Sequence, residues 1–228
     1  MDYPLLKDVK KLEATPTVWT AKEVFDIIRK APPNSAIIDA GCHHGTWTTN
    51  NMTIEPTIRI GVDIIDHGRQ DLFDFFFTAA LDIEEEERDI YTYSESAINS
   101  IYNRNPDLNY DNADFMTLDK VITMTTRRLE SLLDEIENIE KIHYVKIDCQ
   151  GNDANVAKSL GKYLSKTDYI QLETSFDTKN LYDVPVTYED DIKEMKSIGF
   201  EPIYYCVQDL DNQFNMPIDG EILFKRKR

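Results

Sequence analysis

Apolar positions fall into two rhythms along this chain. Runs of strand length, Ala36–Ile38, Ile58–Ile64, Leu72–Leu81, His143–Asp148 and Tyr169–Glu173, alternate with stretches where apolar residues recur every three to four positions. Those stretches predict helices over Ala21–Lys30, with Val24, Phe25 and Ile28 on one face, and over Arg127–Ile136, with Leu129, Leu132, Leu133 and Ile136. Two more follow over Asp153–Leu160 and Glu189–Ser197, closed by Gly161 and Gly199. Thr20 and Glu23 form a capping box for the first helix, and Pro32 and Pro33 end it. Thr46–Met52, rich in threonine and asparagine, reads as a poor helix. Leu72–Leu81 reads as a third buried strand, and in His143–Asp148 period two places Tyr144, Lys146 and Asp148 on one side.

Other segments are connections or minor strands. Residues 1–18, interrupted by Pro4 and Pro16, form an extended lead-in. Asp89–Tyr93 and Val121–Met124 are short strands, and Glu84–Glu87 is a solvated turn. Ser94–Asp114, rich in Asn and Tyr, is long enough to be a functional loop over a site. The last two strands, Phe200–Val207 and Glu221–Lys225, have no helical period in Gln208–Gly220 between them, so they pair antiparallel. A parallel pair needs a crossover of about a dozen residues or more. The expected fold is therefore α/β: a doubly wound, mostly parallel sheet with a C-terminal antiparallel hairpin. Residues 1–35 make a lead-in and helix, and 36–228 one compact domain.

The candidate ligand site begins where the first of these strands turns. Ala36–Gly45 reads AIIDAGCHHG, a strand running into a loop with Gly41 and Gly45, where the missing Cβ lets backbone approach a bound molecule. The second strand ends on Asp63, eighteen residues past Gly45, where a carboxylate could accept both hydroxyls of a ribose. A nucleoside-containing ligand is implied.

Charge and cysteines narrow the partners. With 42 acidic against 25 basic residues among 228, the net charge is −17, which repels phosphate backbones and anionic membranes. Nucleic acid and membrane are not expected partners, and the basic end Lys225–Arg228 reads as a solvated terminus. Cys42, Cys149 and Cys206 show no CxxC spacing, so neither a disulfide framework nor a zinc-thiolate site is expected. No apolar run reaches the roughly 18 residues of a membrane span, and a cytoplasmic location is expected.

Two nucleotide-binding architectures share this order of elements. A dehydrogenase Rossmann domain would show GxGxxG and continue parallel. Here Asp39-x-Gly41-x-x-x-Gly45 and a reversed terminal strand fit a class I S-adenosylmethionine-dependent methyltransferase, with an NAD-dependent oxidoreductase as the alternative. Val145–Asp153, VKIDCQGND, resembles the Lys-Ile-Asp-x-Glu/Gln-Gly-x-Glu/Asp signature of the FkbM-type methyltransferase family. Arg128–Leu133 resembles the Leu-Asp-Ser-Leu-Leu segment that precedes it there. Asp39–Gly45 is similar to that family's Asp-x-Gly-x-Asn-His-Gly loop, with Cys42 and His43 in place of a small residue and Asn. Ala79–Asp82 and Ile192–Phe200 resemble its alanine-leucine segment and its final helix ending in Gly-Phe/Tyr.

The resemblance implies transfer of a methyl group from S-adenosyl-L-methionine to a hydroxyl of a glycan or small metabolite. Cofactor binding is assigned to Asp39, Gly41, Cys42, His43, Gly45 and Asp63, with Leu81 and Asp82 bordering the adenine. Asp148 and Lys146 are the expected catalytic pair, and His44 beside the cofactor is a further catalytic candidate, histidine being able to act as a base near neutral pH. Asp148 and Glu173 close adjacent strands, but two carboxylates are too few for a cation cage, and no metal is expected. The other class of reading is a methyltransferase-fold binding protein without activity, against which Asp39, Asp63, Lys146 and Asp148 all speak.

Overall fold

A computed structural model describes residues 3–12, 22–51, 57–107, 117–176, 180–208 and 218–227. Its main sheet holds β1 (Lys10–Lys11), β2 (Ala36–Ala40), β3 (Ile58–Asp63), β4 (Phe75–Thr78), β7 (Ile142–Ile147), β8 (Thr167–Ser175), β9 (Phe200–Gln208) and β10 (Asp219–Arg226). The order across the sheet is β1-β9-β10-β8-β7-β2-β3-β4. β4, β3, β2, β7 and β8 run parallel, and β10 reverses between β8 and β9. This is the expected doubly wound sheet with its C-terminal hairpin. Every residue of the central strands β2 and β7 is buried, as expected of strands covered on both faces.

Alternation in β7 distributes its side chains between two layers. Val145 and Ile147 join an apolar cluster with Leu129, Leu132 and Leu133 of α3 (Leu129–Asp134), Val156 of α4 (Asp153–Lys158), and Ile192 and Met195 of α5 (Tyr188–Ser197). Tyr144 packs on the other face with Ile28 of α1 (Lys22–Ile28) and Trp47 of α2 (Thr46–Asn51). From β2 the chain winds outward to β4 and returns on the opposite side of β2 as β7. The carboxyl ends of β2 and β7 are thus a topological switch point, the crevice where such sheets take ligands.

Several expectations need correction. Within Leu72–Leu81 only Phe75–Thr78 is strand, and it is an edge strand rather than a buried one, with Phe75 40% exposed. Leu72 belongs to a 3-10 turn, Gln70–Leu72, and Asp74 fixes where β4 begins by accepting from the Arg59 N–H and guanidinium. The lead-in contributes the parallel edge strand β1, whose exposed lysines discourage further pairing. The helix expected to Leu160 stops at Lys158, and Gly161 opens a 3-10 turn instead of closing an α-helix. The capping residue Thr20, and parts of the loops 94–114 and 208–220, lie outside the described residues.

β5 (Glu87–Tyr93) and β6 (Leu118–Thr125) pair with each other, apart from the main sheet. Ile90 of this ribbon packs with Ala80 and Ile101, which carries the segment Ser96–Ile101 to the switch-point end of the sheet. Among the described residues no helix is long and apolar enough to cross a membrane.

Candidate active site

The turn after β2 is shaped by its proximity to β7. Gly41 has φ +76°, and a Cβ there would collide with the Asp148 carbonyl, so the position requires glycine on both counts. Its N–H donates to the Val62 carbonyl at 2.8 Å, and Asp148 N–H to the Ala40 carbonyl at 2.9 Å, which binds the turn between β3 and β7. Cys42 is buried beneath the loop, and the Gly45 N–H donates to its carbonyl at 2.8 Å. Asp63 holds the far side: Oδ2 accepts the His43 N–H at 2.7 Å and Oδ1 the Ile65 N–H at 3.0 Å.

A cavity of about 500 Å³ lies over these strand ends. Gly41, Cys42, His43, Asp63 and Leu81 line it toward β2 and β3; Lys146, Asp148, Gln150, Glu173 and Glu221 line it toward β7, β8 and β10. Ser96–Ile101 and Tyr182 also border it, so the loop after β5 does reach a site. The volume suits a cofactor-sized ligand.

One buried cation organises the acids around it. Lys146 Nζ lies 2.8 Å from Asp148 Oδ2 and 3.9 Å from Asp39 Oδ1. Burial alone would lower the lysine's pKa, but the charges of Asp148 and Asp39 outweigh it and raise the value. Burial pushes Asp39 up to about 6 against the pull of Lys146 and a hydrogen bond from the Thr48 hydroxyl. Asp148 is lowered: burial opposes ionisation, but Lys146 and the hydrogen bonds it receives prevail. Glu173 is raised well above its ordinary value, first by burial and then by the Asp148 charge. Gln150 spans the two, its Nε2 2.6 Å from Asp148 Oδ1 and 2.8 Å from Glu173 Oε2, and the Tyr182 hydroxyl donates to Gln150 Oε1 at 2.7 Å.

This acidic interior has a consequence for stability. Burial raises Asp39 to about 6 and Asp191 and Glu221 to about 7. Unfolded, such groups release their protons near pH 4. Between about pH 4 and pH 7 the folded chain therefore holds more protons, and stability falls as pH rises, by up to about 1.4 kcal/mol per pH unit for each group. The lowered Asp148 titrates below this window. Ligand-free protein is expected to melt at a higher temperature at pH 5.5 than at pH 8, and a flat or rising profile in a thermal unfolding series would contradict the assignment.

Most of the residues singled out in the sequence converge here. Asp39 and Gly45 stand behind the loop, and Leu81 borders the cavity. Asp82 does not reach it. Its carboxylate faces Arg88 at 3.0 Å, the Ile83 N–H at 2.7 Å and Asn152 Nδ2 at 3.2 Å, so its side chain holds the chain turn after β4 rather than a ligand. His44 is exposed at the cavity rim, its ring centroid 4.1 Å from that of His43 and 4.4 Å from that of His67. Burial first, then these two neighbours, lowers the His43 pKa. Sequence reasoning passed over Tyr182, Glu221 and His67, which come from loops and a strand remote in the chain. For Glu221 the period-two pattern of β10 was an available signal.

A family model described as the methyltransferase FkbM domain matches residues 39–202. No curated protein matches the chain. Among solved structures, it is similar to the Burkholderia thailandensis 1,6-didemethyltoxoflavin-N1-methyltransferase with bound 1,6-didemethyltoxoflavin and S-adenosylhomocysteine: 8% identity over 86% of this chain and 72% of that one, TM-score 0.47. It is also similar to the Geobacter metallireducens precorrin-6y C5,15-methyltransferase, at 6% identity over 95% and 94% of the chains, TM-score 0.46. A third is M. capricolum TrmK in complex with S-adenosylhomocysteine, at 13% identity over 92% and 70%, TM-score 0.42.

Proposed function

The chain belongs to the FkbM methyltransferase family, and from that premise we propose that it transfers the methyl group of S-adenosylmethionine to a hydroxyl oxygen of a glycan or small metabolite. The observation that carries the proposal is the Lys146–Asp148 pair, 2.8 Å apart at the switch point and facing a cavity whose other end is the glycine loop and Asp63.

The residues fit the cofactor. Asp63 has both oxygens tied to loop N–H groups, yet each keeps acceptor capacity for a ribose hydroxyl. Gly41 and Cys42 would lie along the methionine portion with Asp39 behind them, and Leu81 along the base. When bound, S-adenosylmethionine supplies an electrophilic methyl group on a sulfonium. Asp148, ionised beside Lys146, takes the proton of the acceptor hydroxyl, whose oxygen is a poor nucleophile until that proton leaves. Lys146 keeps Asp148 ionised, and Gln150 and Glu173 fix its orientation. Among the described residues that line the cavity, Asp63, Asp148, Asp153, Asp191, Asp219 and Glu221 face one lysine, Lys146. A lining so rich in hydrogen-bonding carboxyl groups suits a neutral, hydroxyl-rich acceptor.

The test is ligand-dependent stability. S-adenosylmethionine and S-adenosylhomocysteine, but not NAD, are expected to raise the thermal midpoint. Asp63→Ala should weaken both by at least about tenfold, or about 1.4 kcal/mol, because two hydrogen bonds to a charged acceptor are lost. Stabilisation by NAD, or unchanged affinity in Asp63→Ala measured by calorimetry, would overturn the cofactor assignment. Methyl transfer from labelled cofactor to a panel of glycans and small alcohols then identifies the acceptor.

A further inference from the structure

Three histidines that the sequence scatters over two loops meet beside Asp63. His43 and His44 come from the turn between β2 and α2, and His67 from the segment between β3 and β4. One ring nitrogen from each lies within 4.8 Å of the other two. The His67 side chain is only 10% exposed, and its Nε2 is shut off from solvent without a hydrogen-bond partner, 3.9 Å from Asp63 Oδ1. Three imidazoles packed edge-on or tilted against one another bring no charge complementarity of their own, and a desolvated ring nitrogen needs a partner.

We propose that His43, His44 and His67 bind one divalent transition-metal ion of the zinc class. Imidazole nitrogen suits zinc, copper, nickel and iron, whereas magnesium and calcium take oxygen ligands. Tetrahedral ligands at 2.0–2.1 Å from zinc sit about 3.3 Å apart, so side-chain movements of about an ångström close the present spacing onto an ion. The carboxylates of Asp63 and Glu95, the latter 4.0 Å from His43 Nε2, add negative charge around the site. An ion held by three imidazoles keeps a fourth position for water or for an oxygen of a bound molecule. His43 and His44 line the cavity, so the ion would stand in its wall and tie the glycine loop to the chain beyond Asp63. The carboxylates considered from sequence, Asp148 and Glu173, take no part. The proposal is independent of which acceptor is methylated.

Zinc itself is the probe, added to the full chain after chelator treatment and removal of any purification tag. Calorimetry should show one Zn²⁺ per chain, and Co²⁺ should give the intense visible bands of a tetrahedral site. His67→Ala and, separately, His44→Ala should each weaken Zn²⁺ by more than about 100-fold, since even an outer partner of a metal ligand is worth about 10–100-fold. His44 is exposed, so its removal leaves the fold intact if His67→Ala does not. Failure to bind, binding of several ions with none lost in His44→Ala, or octahedral Co²⁺ spectra only, would overturn the site.

Discussion

Asp148→Asn is expected to lower the rate of methyl transfer by roughly 10²–10⁴ with the affinity for S-adenosylmethionine nearly unchanged. The amide keeps the shape of the carboxylate and the means to stay beside Gln150 and Glu173, but it cannot take a proton. An acceptor hydroxyl loses its proton only as its oxygen bonds to the methyl group, so the missing base is felt in the transition state and little in the ground state. The surroundings sharpen the case. Asp148 is held low by Lys146 against the effect of burial, and Glu173, bonded to the same Gln150 amide, is held high by burial and by the Asp148 charge. Two neighbouring carboxyl groups are thereby pushed in opposite directions, the pattern by which environments assign base and acid. Glu173→Gln, which leaves a donor in place, should cost less than Asp148→Asn. Single-turnover rates and calorimetric cofactor affinities measured side by side decide the matter. Near wild-type turnover in Asp148→Asn would move the base to another group, and loss of cofactor binding would make Asp148 a cofactor ligand.

The parts of this site that could be read from sequence are those set by backbone rules. Gly41 was recognisable because a positive φ and a close approach leave no alternative to glycine, and Asp63 because a strand end at that distance from the loop has few other uses. Lys146 and Asp148 were recognisable as a pair because period two puts them on one side of a strand. What stayed hidden depends on encounters between distant segments. Gln150 stood in the motif, yet its role appears only once β8 brings Glu173 alongside. Tyr182 reaches Gln150 from a loop, and His67 reaches His43 and His44 only because β3 lies next to β2. Asp82 misled for the opposite reason: its neighbour in the chain, Leu81, lines the cavity, and only the Arg88 side chain arriving from β5 shows that the carboxylate turns away. The length of β4 was overread because an apolar run does not reveal whether it is central or at an edge.

Lys146→Met should destabilise the ligand-free protein by about 3–5 kcal/mol at neutral pH, the loss typical when one partner of a buried charge pair is removed and the other is left uncompensated. Methionine keeps much of the stem and its contacts with the Tyr144 face of the sheet, so most of the loss is electrostatic. Asp39, entirely buried, and Asp148 would both lose the cation that offsets their desolvation. They have one escape, which is to take up protons. Their folded-state pKa values then rise, that of Asp39 further above its unfolded value and that of Asp148 from below its own, so the native state holds more protons than in wild type and the loss of stability lessens as pH falls. The deficit relative to wild type is accordingly largest near pH 8 and shrinks toward pH 5. Lys146→Met combined with Asp148→Asn should cost less than the sum of the two single changes, because the double variant lacks one of the charges the lysine served. Urea unfolding of the three variants across pH measures all of this. A loss below about 1 kcal/mol, or one that does not vary with pH, would mean that Lys146 is solvated from the cavity and that the acids at the switch point are stabilised by something other than its charge.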